Sequence, residues 1–209
     1  MKSRLLIAIV ALLAVGAFFA GRSYSDDQKS EGMQMTDEQK AQYETYMKYA
    51  TPGAQHKAME PLVGSWDLST KFWMDANSPM QESKGTATAK WILGGRYIQE
   101  DVTGDMGGMP FHGTGFTGYD LMKGEYISIW MDEMSTCPMW STGQVDVAGK
   151  VFTFSGTYPD AMQNMKEVTY KTVVKVTMPD QHVMEMYMVG DDGKEFKNME
   201  IPYTRKKQL

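Results

Sequence analysis

Arg96 and Glu100 stand four residues apart in a stretch whose apolar residues recur at every second position. Side chains alternate faces along a strand, so these two would share a face with Ile98 and Val102. Turned inward, the pair would orient a polar ligand inside a barrel, because a lone buried charge costs several kcal/mol and demands a partner. Turned outward, it is a solvated charge pair on the wall, and Tyr97 then points into the core. His112 follows Pro110-Phe111 and precedes a run of glycines that lets neighbouring groups approach closely. Histidine suits general-base and metal-ligand roles. The other two histidines, His56 and His182, stand at no zinc-ligand spacing from it. A hydrogen-bonded structural role is therefore the preferred reading of His112, ahead of a catalytic one.

Trp130, Asp132, Ser135, Thr136 and Cys137 form the other concentration of reactive types. They contain no Gly-x-Ser-x-Gly elbow and no nucleophile with a matching base, so no catalytic residue is assigned and the chain leans away from enzymes. Cys137 is the sole cysteine, which excludes an intrachain disulfide; it reads as a small buried hydrophobe. The chain holds 20 methionines, with Met184, Met186 and Met188 on one face of one strand, and Met131, Met134 and Met139 around Cys137. Thioethers beside a thiolate or imidazole suit Cu(I), and a copper or haem carrier is the alternative reading. The preferred one is an adaptable apolar cavity, since methionine fills irregular space and suits varied ligands. No cofactor or metal is expected on that reading.

The elements that must position these groups are mostly strands. Thr36 opens a helix as a capping box with Gln39, and Tyr43, Tyr46, Met47 and Ala50 make an apolar stripe on it. Thr51-Pro52 starts a second short helix. Beyond Gly64 the period becomes two, with Trp66, Leu68, Phe72 and Met74 on one face and Trp73 out of step. Strands are predicted over residues 84–93 and 96–103, joined at Gly94-Gly95, and another after Pro110. Further strands follow over 125–132, 140–147, 151–156, 166–177, 183–189 and 195–205, about ten in all. Short connections between them mean antiparallel hairpins, and closing such a sheet removes its edges. The expected fold is all-β, an antiparallel barrel preceded by one or two short helices, with a sandwich as the alternative. Gly64-Ser65-Trp66 opening the first strand and Arg205 ending the last resemble the calycin pattern seen in lipocalins. There a tryptophan closes one end of the barrel beneath an arginine, with a cation–π contact between them.

Gly94-Gly95-Arg96, Phe111-His112-Gly113, Gly118-Tyr119-Asp120, Trp130 with Asp132, and Tyr203-Thr204-Arg205 together resemble the bacterial family catalogued as domain of unknown function 1579. The likeness spans His56 to Lys206. It implies no catalytic residues.

Residues 1–25 read as a signal peptide: Lys2 and Arg4, then an apolar run from Leu5 to Ala20, then small residues at Ser23 and Ser25. Export to the periplasm or medium follows, with an uncleaved N-terminal anchor as the alternative because Phe18 fits cleavage after Ala20 poorly. Residues 26–35 read as a flexible tether and 36–209 as one domain. The net charge of -5, with its only basic cluster at Arg205-Lys206-Lys207, argues against nucleic acid as a partner. The expected function is non-enzymatic binding of a small, mainly apolar ligand inside the barrel, at a site drawn from Arg96, Glu100, His112, Trp130, Asp132 and Met186.

Overall fold

The computed structural model describes residues 35–161, 164–190 and 193–207. The predicted leader and nearly all of the tether lie outside the described residues. Up to Ala41 the chain forms a unit of its own, and a compact body begins at Gln42. In the first unit Thr36 and Gln39 exchange the reciprocal bonds of a capping box, Thr36 N–H to Gln39 Oε1 at 2.9 Å and Gln39 N–H to Thr36 Oγ1 at 3.2 Å. The helix they open, α1, is Asp37–Ala50. Of its predicted stripe, Tyr43 and Tyr46 are exposed while Met47 and Ala50 are half-buried, so no residue of it reaches the core.

The second helix starts later than the sequence suggests. Helix α2 is Ala54–Ala58, capped by Gly53 rather than Thr51, because the His56 ring turns back and its Nδ1 accepts the Gly53 N–H at 3.1 Å. A 3-10 turn, Glu60–Leu62, leads into the sheet.

Ten strands then follow, with no α-helix between them among the described residues: β1 Gly64–Phe72, β2 Gln81–Ile92, β3 Tyr97–Met106, β4 Met109–Asp120 and β5 Glu125–Asp132. The second half comprises β6 Met139–Val145, β7 Val151–Asp160, β8 Lys166–Met178, β9 Gln181–Val189 and β10 Glu195–Arg205. Each strand pairs antiparallel with its sequence neighbours, and β1 pairs with β10, so the sheet closes into a barrel rather than a sandwich. Closure satisfies every edge, which an open sheet of this size would leave as a template for aggregation. The closing register sets Trp66 against Arg205, Leu68 against Tyr203 and Phe72 against Met199.

Strand period fixes what faces inward. Trp66 and Leu68 on β1, Ala87 and Ala89 on β2, Ile98 and Val102 on β3, and Phe152 and Phe154 on β7 are all buried. Trp73, out of step in the sequence, lies just past β1, where Asn198 accepts its N–H at 2.8 Å and donates to its carbonyl at 2.7 Å. A bulge between Lys197 and Met199 on β10 accommodates this exchange.

Candidate functional site

In an antiparallel barrel of sequential strands, every odd strand runs toward the same end. At the other end lie Gly64 and Arg205, and this is the floor. The Arg205 guanidinium carbon sits 4.1 Å from the Trp66 ring centroid. Its nitrogens donate to the carbonyls of Val63 (2.8 Å), Pro61 and Pro179 (3.3 Å each) and to Asp180 (3.1 Å). Trp66 is fully buried and its indole N–H donates to the Leu62 carbonyl at 3.1 Å. The preceding 3-10 turn is thus fastened under the barrel through both residues of the closing pair. Gly64, at φ +144°, is obligatory there, because a Cβ would overlap the Arg205 guanidinium. Met59, Tyr126 and Phe152 fill the remaining floor space, with the Tyr126 hydroxyl donating to the Gln55 carbonyl at 3.0 Å.

Above the floor the barrel is hollow. A cavity of about 840 Å³ reaches from Leu62 and Tyr203 up to the mouth, where the hairpins after the odd strands stand. Eight of the 20 methionines border it, among them Met184, Met186 and Met188 on β9 and Met199 on β10. Their unbranched thioethers give a wall that can re-pack around different shapes. Phe72, Phe111, Phe154 and Trp130 supply the rigid apolar surface.

Glu100 is the deep polar group. It lies on the inward face of β3 between Ile98 and Val102, and its cross-strand neighbours are Ala89 and Gly115, both too small to cover it. What surface it keeps faces the cavity. Burial raises its pKa to about 7, against a hydrogen bond from the Tyr203 hydroxyl that lowers it. Tyr203 comes from β10, and burial beside Glu100 raises its own pKa well above the usual range. Below it the His182 ring stacks on Tyr203 with centroids 4.1 Å apart, and meets Trp66 edge-on at 4.4 Å. Burial, with Arg205 nearby, lowers the His182 pKa to about 4, so the ring is neutral. A chain of contacts therefore runs from a protonatable carboxyl in the cavity through Tyr203, His182 and Trp66 to the floor arginine.

Of the six residues from which the site was expected, four border this cavity: Glu100, Trp130, Asp132 and Met186. Trp130 lies over Gly113 and Gly115, where a side chain on either glycine would collide with the indole, and its N–H donates to Asp132 at 2.8 Å. Two residues do not border it. Arg96 falls in the turn ahead of β3, not in the strand, so it shares no face with Glu100; it donates instead to the carbonyls of Ala50 (2.5 Å) and Leu93 (3.0 Å). The expected Arg–Glu pair therefore does not form, and Tyr97 lies on the outer wall beside Gly118. His112 is exposed on the outer face of β4, because the same alternation that sends Phe111 inward sends it out. The methionines around Cys137 do not converge: Met139 faces inward and Met131 outward. Among the described residues, no three of His, Cys, Asp and Glu gather as metal ligands.

Sequence reasoning missed Tyr203, His182, Tyr170 and Ser141 as cavity residues. All four are buried polar side chains on the inward parity of their strands. That parity was readable, but the partners were not, since Glu100 and Tyr203 lie far apart in the chain.

A profile of the family described as Protein of unknown function (DUF1579) matches residues 51–205. No curated protein matches. Among solved structures, Rv2717c from M. tuberculosis is similar with a TM-score of 0.56 at 12% identity, over 75% of this chain and 100% of that one. A redesigned β-barrel is similar at a TM-score of 0.39 and 14% identity, over 72% of this chain and 96% of that one. The likeness to Rv2717c agrees with a calycin-like barrel.

Proposed function

Since the chain belongs to the DUF1579 family, whose description assigns no function, we propose from the cavity itself that the protein is a non-enzymatic carrier of a small, mainly apolar ligand. The observation that carries this reading is the hollow interior. A barrel whose only task is structural packs its centre with side chains, whereas this one leaves about 840 Å³ between flexible thioethers and aromatic rings. That volume lies within the roughly 300–1,000 Å³ of small-molecule sites. One deep polar group, Glu100 with Tyr203, then fixes orientation among apolar walls. The signal-like leader supports a working place outside the cytoplasm.

Native mass spectrometry of the full chain purified from its own cells tests the reading, first under gentle conditions and then after denaturation. The expected result is a mass excess that disappears on unfolding. A bare mass that stays bare after incubation with straight-chain C12 alcohols, acids and ammonium salts would overturn it.

A further inference from the structure

Glu100 and Tyr203 are not the only hydrogen-bonding groups in the cavity, and the pattern of the others deepens the carrier reading, on which this inference rests. Thr117 of β4 pairs with Ser128 of β5, Ser128 with Ser141 of β6, Ser141 with Gly156 of β7, and Gly156 with Tyr170 of β8. The members of this row that carry a hydroxyl, Thr117, Ser128, Ser141 and Tyr170, all border the cavity. Gly156 has no side chain to interrupt the row, and the Tyr170 phenol leans across it, with its hydroxyl 2.8 Å from where a Cβ would stand. There the hydroxyl meets Ser141, which lowers its pKa against the rise that burial causes. The other end of the row comes up beside Glu100, because Gly115, the cross-strand neighbour of Glu100, is two residues from Thr117 on the same face of β4. The hydroxyls of Thr117 and Ser128 make no hydrogen bond among the described residues. Two groups that can each donate and accept therefore stand unpartnered on the cavity wall.

In a closed barrel of ten sequential strands each strand faces the one five places on, so β4, β5 and β6 face β9, β10 and β1. Thr117, Ser128 and Ser141 therefore look across the cavity at Met184 and Met186 on β9, Ile201 on β10 and Leu68 on β1. Thr70 and Ser83 are polar too, but they pair with each other nearer the mouth. The tilt of barrel strands makes the row climb, from Thr117 near the floor to Tyr170 nearer the mouth. Thr117 and Ser141 are two strand spacings apart, about 10 Å. At this depth the cavity has one side of hydroxyls and one of thioether and hydrocarbon.

We propose that the ligand is a hydrocarbon frame with at least two hydroxyl or carbonyl oxygens along one edge, that edge laid on the row from Thr117 to Tyr170 and the bare edge against Met184, Met186 and Leu68. A ligand with a single polar head satisfies one end of the row and leaves the rest of it unpartnered. An anionic head finds no cation there. Among the described residues Lys84 is the one lysine or arginine on the cavity border, and it points outward, because its neighbour Gly85 pairs with the inward Leu68.

The test uses three probes on one rigid carbon frame: androstanol, androstanediol and androstanol sulfate, which carry one hydroxyl, two hydroxyls and an anionic ester. Tryptophan fluorescence of the full chain follows the titrations at pH 6, where Glu100 holds its proton, since Trp130 borders the cavity. The expected order places androstanediol about fivefold tighter than androstanol, the fold-change of one net hydrogen bond. The sulfate should bind about tenfold more weakly than androstanol. A plain apolar cavity gives the reverse order for the two alcohols, because the second hydroxyl would be buried without a partner. Thr117→Val with Ser128→Ala should bring androstanediol to the affinity of androstanol or below it, without lowering the urea midpoint, since neither hydroxyl has a protein partner to lose. If that variant fails to fold, the order of the three probes on the unmodified chain decides. Androstanediol binding no tighter than androstanol would overturn the proposal, and the carrier reading would then stand on androstanol. A sulfate that binds as tightly as androstanol would overturn it as well. If none of the three binds, the proposal falls, and dodecanol added to the same protein shows whether the carrier reading falls with it.

Discussion

Gly113 and Gly156 show how differently one added methyl group acts on the two sides of this cavity. At Gly113 a Cβ would collide with the far edge of the Trp130 indole, a side chain bordered by empty space into which it can swing. At Gly156 it would collide with the Trp140 backbone carbonyl, which cannot yield without breaking the pairing of β6 with β7, and with the Tyr170 hydroxyl as well. Gly113→Ala is therefore expected to cost under about 1 kcal/mol of stability while pushing the indole off Asp132. Gly156→Ala is expected to cost roughly 2–4 kcal/mol, as overpacking against fixed atoms does. Urea unfolding of the two variants checks the contrast. Equal losses of stability in the two variants would mean that Trp130 is held as rigidly as backbone.

Arg96 marks the boundary between what strand periodicity can reveal and what it cannot. Alternation placed Trp66, Leu68, Phe72, Met184, Met186 and Met188 on their inward faces because both flanks of each run keep the period. The glycine, tryptophan and arginine of the floor were legible for a related reason: each type does one job there, close approach, ring and cation. Arg96 was not legible, since Leu93, Gly94 and Gly95 all take positive φ and the resulting turn absorbs it one residue before β3 starts. A turn residue has no strand face, so the parity argument that paired it with Glu100 had no footing. His112 obeys parity, but parity alone does not say which of two faces is inner; Phe111 does. In its actual position Arg96 is a latch, joining the turn before β3 to the Ala50 carbonyl at the C-terminal end of α1, where a cation also suits the helix dipole. Helix α1 buries no residue that would hold it otherwise. Arg96→Ala should thus speed amide exchange over residues 42–50 by roughly tenfold while the melting temperature of the barrel stays within about 2 °C. Unchanged exchange in that segment would show that the latch carries no weight.

At the scale of the molecule Tyr203 stands inside the barrel between the floor, where Arg205 is ion-paired with Asp180, and the open cavity above it. Glu100 and His182 flank that tyrosine and load the fold with opposing pH dependences. Burial raises the Glu100 pKa from 4.5 to about 7. The native state therefore holds a proton that the unfolded chain has released, and stability falls as pH rises from about 4.5 to 7. Burial and Arg205 lower the His182 pKa from 6.5 to about 4. Here the unfolded chain holds the extra proton, and stability falls as pH drops from about 6.5 to 4. Each effect amounts to roughly 3 kcal/mol across its window, and between about pH 4.5 and 6.5 the two slopes cancel. Removing one group should expose the other. Relative to the unmodified protein, Glu100→Gln gains stability steadily as pH rises toward 7, and His182→Gln gains it as pH falls toward 4. Urea unfolding of both variants from pH 4 to pH 8 measures the two difference curves. Parallel curves, offset by a constant, would mean that neither group changes its pKa on folding. Opposed slopes would instead make Glu100 an acid that is neutral in mildly acidic surroundings and charged in alkaline ones, so that the interior of the barrel changes charge within the range where a carrier has to take up and release its ligand.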